Sequence, residues 1–402
     1  MKIYTIFAGR EENLNILCKY LDVALKEKKI DEVHFWNFTR KDEDFQFLKK
    51  ISNIRRTTIT GNYIESFPDI IDNTIDFKVK ANNDIHIKII DSNHIEFEIV
   101  IGGWNNTLSV IRKNNQPLLY VDSPQILRPS DVQSIRLQIL NQNIIQVFID
   151  NTLFISYENP TSFMIQRVFL KTAHNSEGIF YYPTTKNNGY YLMDVSNKSD
   201  WCEYYQHYNH SMYQNDLIIK SDDDIVFLDL NKIDSFTNRI LHTDFDILFA
   251  NIINNGIASY YQQQLNLIHP SIMELEYPNE NFGTLWNDGK KAEGIHTFFI
   301  ENINSFLQFN GLYKNKDIIQ IYNRFSINFF IIKGSNWYKI KDCGTNDEYH
   351  ITITYNQNKR LKLGMYLHFF VSHLSFYRQI DTHMNVSSIR QKYLQLSNSI
   401  LS

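Results

Sequence analysis

The strand pattern changes twice along this 402-residue chain, and those changes limit its folds more than any other feature. Residues 2–8 alternate and then run apolar, as a buried first strand does. Leu14, Leu17, Leu21 and Leu25 recur at helical spacing, which predicts a helix over 11–28. Residues 32–37 read as a second strand and about 41–52 as a second, polar helix. This alternation begins an α/β unit with a parallel sheet. From about 57 to 182 it breaks. Short alternating strands, such as 85–89, 96–101, 135–139 and 147–150, follow one another with Asn, Asp, Gly and Pro between them. No helix-length segment intervenes, and the spacing suits an antiparallel sandwich.

Strand–helix alternation then returns. Residues 190–195 read as a strand, 200–208 as an aromatic helix, 231–240 as a helix, 246–251 as a strand and about 291–308 as one helix. Residues 325–333 are strand-like, 342–348 a polar loop and 365–376 an apolar segment. An all-β stretch inside an interrupted α/β unit is an insertion, tolerated at a surface loop because a longer loop adds little closure entropy. The expected fold class is α/β, with one discontinuous domain over 1–56 and 184–402 and an all-β sandwich over 57–183.

Asp222, Asp223 and Asp224 stand between two apolar runs, 217–219 and 225–228. Three adjacent carboxylates there are costly unless something positive neutralises them. A divalent cation shared with a phosphorylated substrate would do so. Mn²⁺ and Mg²⁺ take carboxylate oxygens and share their shell with phosphates. Open α/β sheets bind ligands at the carboxyl ends of their strands, where this turn would lie. A solvated acidic turn is the competing reading. An EF-hand fits poorly, since no Gly and distal Glu occur at its spacing.

Composition excludes some classes. A net charge of −4, from 40 basic and 44 acidic residues, gives no footprint for nucleic acid. No apolar run reaches about 18 residues, so no membrane span is expected. The Met1 end lacks a signal-peptide pattern. Cys18, Cys202 and Cys343 are odd in number and widely spaced, which suggests reduced thiols in a cytoplasmic protein.

Residues 219–229 resemble the "IKxDDDIVFID" signature of a group of GT-A-fold, Rossmann-like glycosyltransferases found in giant DNA viruses and some bacteria. Phe7-Ala8-Gly9-Arg10, residues 36–40, Trp201-x-x-Tyr204-Tyr205 and residues 371–377 are similar to that group as well. The resemblance implies Mn²⁺- or Mg²⁺-dependent transfer from a UDP-, GDP- or dTDP-sugar to a glycan or protein acceptor, in the host's cytoplasm if the chain is viral. It implies that Asp224 ligates the metal, that Asp222 faces the metal or the ribose, and that His373 is the third protein ligand or a diphosphate contact. Ala8, Gly9, Arg10, Asn37, Lys220, Asp222 and Asp223 would lie around the nucleotide sugar. His373 in an apolar segment could equally be a hydrogen-bonded core residue.

An inverting transfer needs a base for the acceptor hydroxyl. Asp347 is the first candidate and Glu348 the second. Related enzymes carry "DDEY" here, and this chain has Asn346 in place of the first acid. A retaining transfer would not need this base.

Within the insert, Phe77-x-Val79-x-Ala81-x-x-Asp84-x-His86-Ile87 precedes Gly102-Gly103-Trp104-x-Asn106-Thr107. This stretch resembles the domain named after farnesoic acid O-methyltransferase, yet no Gly-rich loop follows a first strand as a methyltransferase would require. Sandwiches of this kind are familiar from carbohydrate-binding modules, so the insert is expected to bind a glycan acceptor or a partner, with Trp104 either a stacking face or part of the sandwich core. A catalytically silent, glycan-binding scaffold is therefore the alternative to an enzyme.

Overall fold

Continuous apolar runs supply the central strands of the first unit, which comprises Met1–Ser52 and Asn188–Ser402. The computed structural model describes all residues except 59–60, 67–69, 174–175, 177, 182–187, 194–200, 272, 278–282, 345 and 402. The expected strand and helix at 190–195 and 200–208 therefore lie partly outside the described residues.

The strands of this unit lie side by side in the order Tyr190–Met193, Glu32–Asn37, Lys2–Ala8, Leu217–Asp222, Phe329–Lys333, Ile247–Ile253, Leu363–His373 and Ile225–Leu228. The first four run parallel. Phe329–Lys333 is antiparallel to both its neighbours, and Ile225–Leu228 is antiparallel to Leu363–His373. The parallel sheet expected from the N-terminal alternation is present in the first four strands, and the later strands make the whole sheet a mixed one. Apolar runs mark which segments are buried but carry no information on strand direction, which the connections set.

Helix Glu11–Lys26 buries Leu14, Leu17, Tyr20 and Leu21, with the Tyr20 ring 5.7 Å from that of Phe227. Each fully buried leucine contributes about 1.5–3 kcal/mol by leaving water. The C-terminal helix Val386–Leu401, absent from the sequence expectation, buries Ile389 and Tyr393, and Arg390 Nε donates to Asn13 Oδ1 at 2.9 Å. The single helix expected over 291–308 is two, Gly289–Glu301 and Ile303–Leu307. Asn302 breaks it with ψ of 23°, its side-chain amide donating to the Phe298 carbonyl. The polar loop expected at 342–348 instead runs into a helical turn, Asp347–Tyr349, which continues to Gln357.

The second unit is Asn53–Asn187. It is antiparallel throughout. One sheet runs Ile64–Ser66, Arg167–Thr172, Ile85–Ile90, Glu96–Gly102, Leu108–Lys113 and Gln116–Asp122. The other carries Thr152–Glu158, Ile144–Ile149, Gln133–Leu140, Thr74–Ala81, Gly178–Tyr181 and Asn53–Thr58. Alternation puts Ile85, Ile87, Ile89, Ile99 and Ile101 of the first sheet against Ile75, Phe77, Val79, Ile135 and Leu137 of the second in one core.

Candidate active site

The order of the four parallel strands decides where a ligand can enter. The chain lays down Lys2–Ala8, moves outward to Glu32–Asn37 and Tyr190–Met193, then returns to place Leu217–Asp222 on the other side of the first strand. At such a reversal the connections leave in opposite directions and open a crevice at the carboxyl ends. Phe7 pairs in register with Asp222, so Gly9 and Arg10 emerge beside the acidic triplet. A cleft of about 580 Å³ lies there, lined by Phe7, Gly9, Arg10, Phe38, Trp201 and all three acids. That volume suits a small-molecule or cofactor site.

Asp222 ends its strand and Ile225 begins the next. The two strands do not form a hairpin: one pairs with Lys2–Ala8, the other with Leu363–His373. The triplet therefore bridges two places in the sheet. Its charges are answered from within the chain. Lys220 Nζ bonds to Asp222 Oδ1 and donates to the Ile327 carbonyl at 2.8 Å, while Asn328 Nδ2 donates to Asp222 Oδ2 at 2.8 Å. Asp223 accepts from Arg10 Nε at 2.9 Å, Arg10 Nη2 at 2.6 Å and the Gly9 amide at 3.2 Å. Arg10 Nη2 also reaches Asp224 Oδ2 at 2.9 Å. A Cβ on Gly9 would stand 3.1 Å from Asp223 Oδ2, so glycine is what permits this close approach.

His373 ends the strand antiparallel to Ile225–Leu228 and pairs in register with Ile225. Its Nε2 faces Asp224 Oδ1 at 3.2 Å, without the alignment of a hydrogen bond. Ligand atoms of Asp222, Asp224 and His373 lie within 4.8 Å of one another. Asp224 Oδ1 and His373 Nδ1 are buried and lack a hydrogen-bond partner among the described residues. Asp224 Oδ1 and His373 Nε2, 3.2 Å apart, match neighbouring positions in a six-coordinate shell with bonds of about 2.1 Å. Carboxylate with one imidazole suits Mn²⁺ better than Mg²⁺. The donor set thus fits a divalent ion.

Burial opposes ionisation of Asp224, but facing His373 and the Arg10 guanidinium hold it well below the usual carboxylate range. Burial pushes Asp223 up; the Arg10 bonds oppose the rise without cancelling it, and the Asp224 charge adds to it.

Three residues expected around the nucleotide do not line the cleft. Lys220 is 2% exposed and positions Asp222 from behind. Asn37 is buried, its Oδ1 accepting from the Thr39 amide and hydroxyl at 3.2 and 2.7 Å. Ala8 is buried and its carbonyl accepts from the Phe38 amide. All three are buried strand residues with polar atoms bonded within the chain. The cleft instead uses Phe38, Arg40, Lys41 and Trp201, which the expectation left without a role. Ring centroids of Phe7 and Phe38 each lie 4.6 Å from that of Trp201. The aromatic share of the chain was the available signal, but no spacing marks these three as neighbours.

Asp347 is not among the cleft-lining residues, but it stands close enough to Asp222 and Lys220 for both charges to act on it. Its Oδ2 accepts from the Tyr205 hydroxyl at 2.8 Å. Burial raises its pKa, while Lys220 and the Tyr205 bond pull it down. Glu348 is raised by burial and held by Arg324 Nε at 2.8 Å. In the other unit, Trp104 is 49% exposed and so is not part of the sandwich core. All three cysteines are free thiols. No described helix is long and apolar enough to cross a membrane.

Residues 53–186 match the family model described as "Farnesoic acid 0-methyl transferase". No curated protein matches the chain. Among solved structures, the chain is similar to a carbohydrate-binding module from Bacillus subtilis at 9% identity, covering 27% of this chain and 71% of that one with a TM-score of 0.23. A galectin from Caenorhabditis elegans is similar at 8% identity, over 31% of this chain and 92% of its own, with a TM-score of 0.23. A sheep galectin in complex with glycerol shows 12% identity over 31% and 95%, with a TM-score of 0.22. Similarities at this level say nothing about what this chain binds.

Proposed function

We propose that the chain is a glycosyltransferase of the GT-A type, moving a sugar from a nucleotide-sugar donor to a glycan or protein acceptor with Mn²⁺ or Mg²⁺. The observation that carries this is the convergence of Asp222, Asp224 and His373 beside the cleft at the sheet's reversal. The resemblance of residues 219–229 to glycosyltransferase signatures supports the same reading. Asp224 and His373 would hold the ion, with Asp222 as a further ligand. When bound, the ion would neutralise charge on the departing diphosphate as a Lewis acid. Arg10, half-exposed at the cleft, would meet the donor's phosphates. Phe7, Phe38 and Trp201 offer ring faces to the base. In an inverting transfer Asp347, oriented by Tyr205, would take the acceptor's proton, its raised pKa bringing it nearer a base's working range. Glu348 is the second candidate.

The test is release of nucleoside diphosphate from a panel of UDP-, GDP- and dTDP-sugars with Mn²⁺. One donor should turn over in the wild type, and Asp224→Ala should lower that rate roughly a hundredfold or more. An unchanged rate in the variant overturns the metal mechanism.

A second reading has its own observation, the exposed indole of Trp104. The unit Asn53–Asn187 would then bind glycans, either to present an acceptor or as a lectin-like scaffold whose first unit is catalytically silent. No turnover of any donor, together with glycan binding, would favour the scaffold.

A further inference from the structure

The outer face of the six-stranded sheet carries a polar network that the catalytic reading leaves unused. Strand register lays two adjacent rungs across it. One holds Arg112, Glu98 and Lys88; the next holds Tyr120, Val110, Val100, His86 and Lys171. Glu98 is only 6% exposed although it points away from the sandwich core. Its carboxylate accepts from Arg112 Nη1 at 2.7 Å and from the Tyr63 hydroxyl, and lies 2.9 Å from His86 Nδ1. Sinking a charge on an outer face adds nothing to the apolar core and costs desolvation; what the buried carboxylate does here is anchor the Arg112 guanidinium at the surface.

Arg112 connects this network to two exposed rings. Its guanidinium carbon is 5.9 Å from the centre of Trp104, and the Trp104 and Tyr120 centroids are 6.3 Å apart. Trp104 is 49% and Tyr120 54% exposed. The backbone holds Trp104 there against its own preference. Trp104, Asn105 and Asn106 have φ of 50°, 60° and 62°, and left-handed backbone costs an L-residue about 1–2 kcal/mol. Asn106 pins the turn: its Nδ2 donates to the Leu127 carbonyl at 2.7 Å and its Oδ1 accepts from the Leu127 amide at 3.0 Å. The Thr107 hydroxyl donates to the Trp104 carbonyl at 2.7 Å. Gly102, at φ 64°, admits the Asn106 side chain, which a Cβ would meet at 2.6 Å. Strain locked in by the surrounding structure is characteristic of binding sites.

We propose that this face is a saccharide-binding site, in which Trp104 and Tyr120 stack on the C–H face of a sugar ring and Arg112, held in place by Glu98, donates to its neighbouring hydroxyls. The proposal rests on the second reading above and names its site. A pyranose presents an apolar C–H patch edged by hydroxyls that both donate and accept. Exposed rings beside a rigidly held donor match that chemistry. A phosphate backbone does not match, because Glu98 and Glu96 share the strip and Lys88 is already paired with Glu96 at 3.1 Å.

The full chain is screened against arrayed neutral and acidic oligosaccharides, and the strongest soluble hit is titrated by calorimetry. Trp104→Ala, Tyr120→Ala and Arg112→Gln should each weaken the wild-type affinity at least roughly tenfold. Tyr120→Ala guards against misfolding, since Tyr120 is mostly in solvent and its loss leaves the Glu98 network whole. Wild-type binding that all three variants retain overturns this site while leaving a glycan-binding unit intact. No binding of any oligosaccharide by the wild type overturns both.

Discussion

Asp224→Asn probes the proposed cation site at its centre. The substitution keeps the side-chain shape and removes one charge. In the wild type three carboxylates face two permanent cations, Lys220 and Arg10, so one negative charge is left over in a buried setting. Removing it deletes both an anionic ligand and the surplus that draws a divalent ion. An ion at a hundred times its Kd stabilises the folded state by about 2.7 kcal/mol. A unit of roughly 270 residues unfolds with an entropy of about 0.6 kcal/mol per kelvin, so its Tm should rise by about 5 °C. Scanning calorimetry of the wild type and D224N, each with and without saturating Mn²⁺, reads this directly. The wild type should shift and D224N should not. Without Mn²⁺ D224N should unfold at a somewhat lower temperature, because the Arg10 and His373 contacts that hold the Asp224 pKa down are weakened, so the readout is the Mn²⁺-induced shift within each protein. Equal Mn²⁺-induced shifts in both proteins would refute the reasoning.

Arg10→Gln should tighten Mn²⁺ binding in the absence of donor by about tenfold, since Arg10 Nη2 no longer holds Asp224 Oδ2; a Mn²⁺ titration followed by electron paramagnetic resonance checks this. The same change should raise KM for the donor. Tyr205→Phe removes a bond that holds the Asp347 pKa down, so the basic partner should ionise at higher pH and the acid limb of the pH–rate profile should move upward. A profile that stays in place argues against Asp347 as base. Burial drives His296 down to about 3, against the Leu374 carbonyl that accepts at 2.9 Å. The folded state keeps it neutral while the unfolded chain takes up a proton below about 6.5. Stability should therefore fall by up to about 1.4 kcal/mol per pH unit between about 6.5 and about 3, and urea unfolding of His296→Gln should show a shallower pH dependence in that window.

Some of this was legible one segment at a time. The apolar runs at 2–8, 32–37 and 246–251 are strands because a side chain's neighbours along the chain decide whether it can be buried. The loss of helical spacing between 57 and 182 is local in the same way, and that stretch does fold as an antiparallel sandwich. Asp222 at a strand end follows from the apolar runs on either side of it. The C-terminal helix was not legible, because Ser, Asn and Gln interrupt its apolar stripe and only Ile389 and Tyr393 among its larger side chains are deeply buried.

The partners of the acidic triplet were beyond reach of any local pattern. Arg10 meets Asp223 across 213 residues, and His373 meets Asp224 through a strand pairing that the chain's order does not reveal. Trp104 stands in solvent because three successive residues take a left-handed backbone that Asn106 pins from the side. Sequence alone determined which segments are buried and where charge is concentrated, since both depend on neighbours in the chain. Sheet order and register alone decided which charges meet, since they bring together residues that the chain holds hundreds of positions apart.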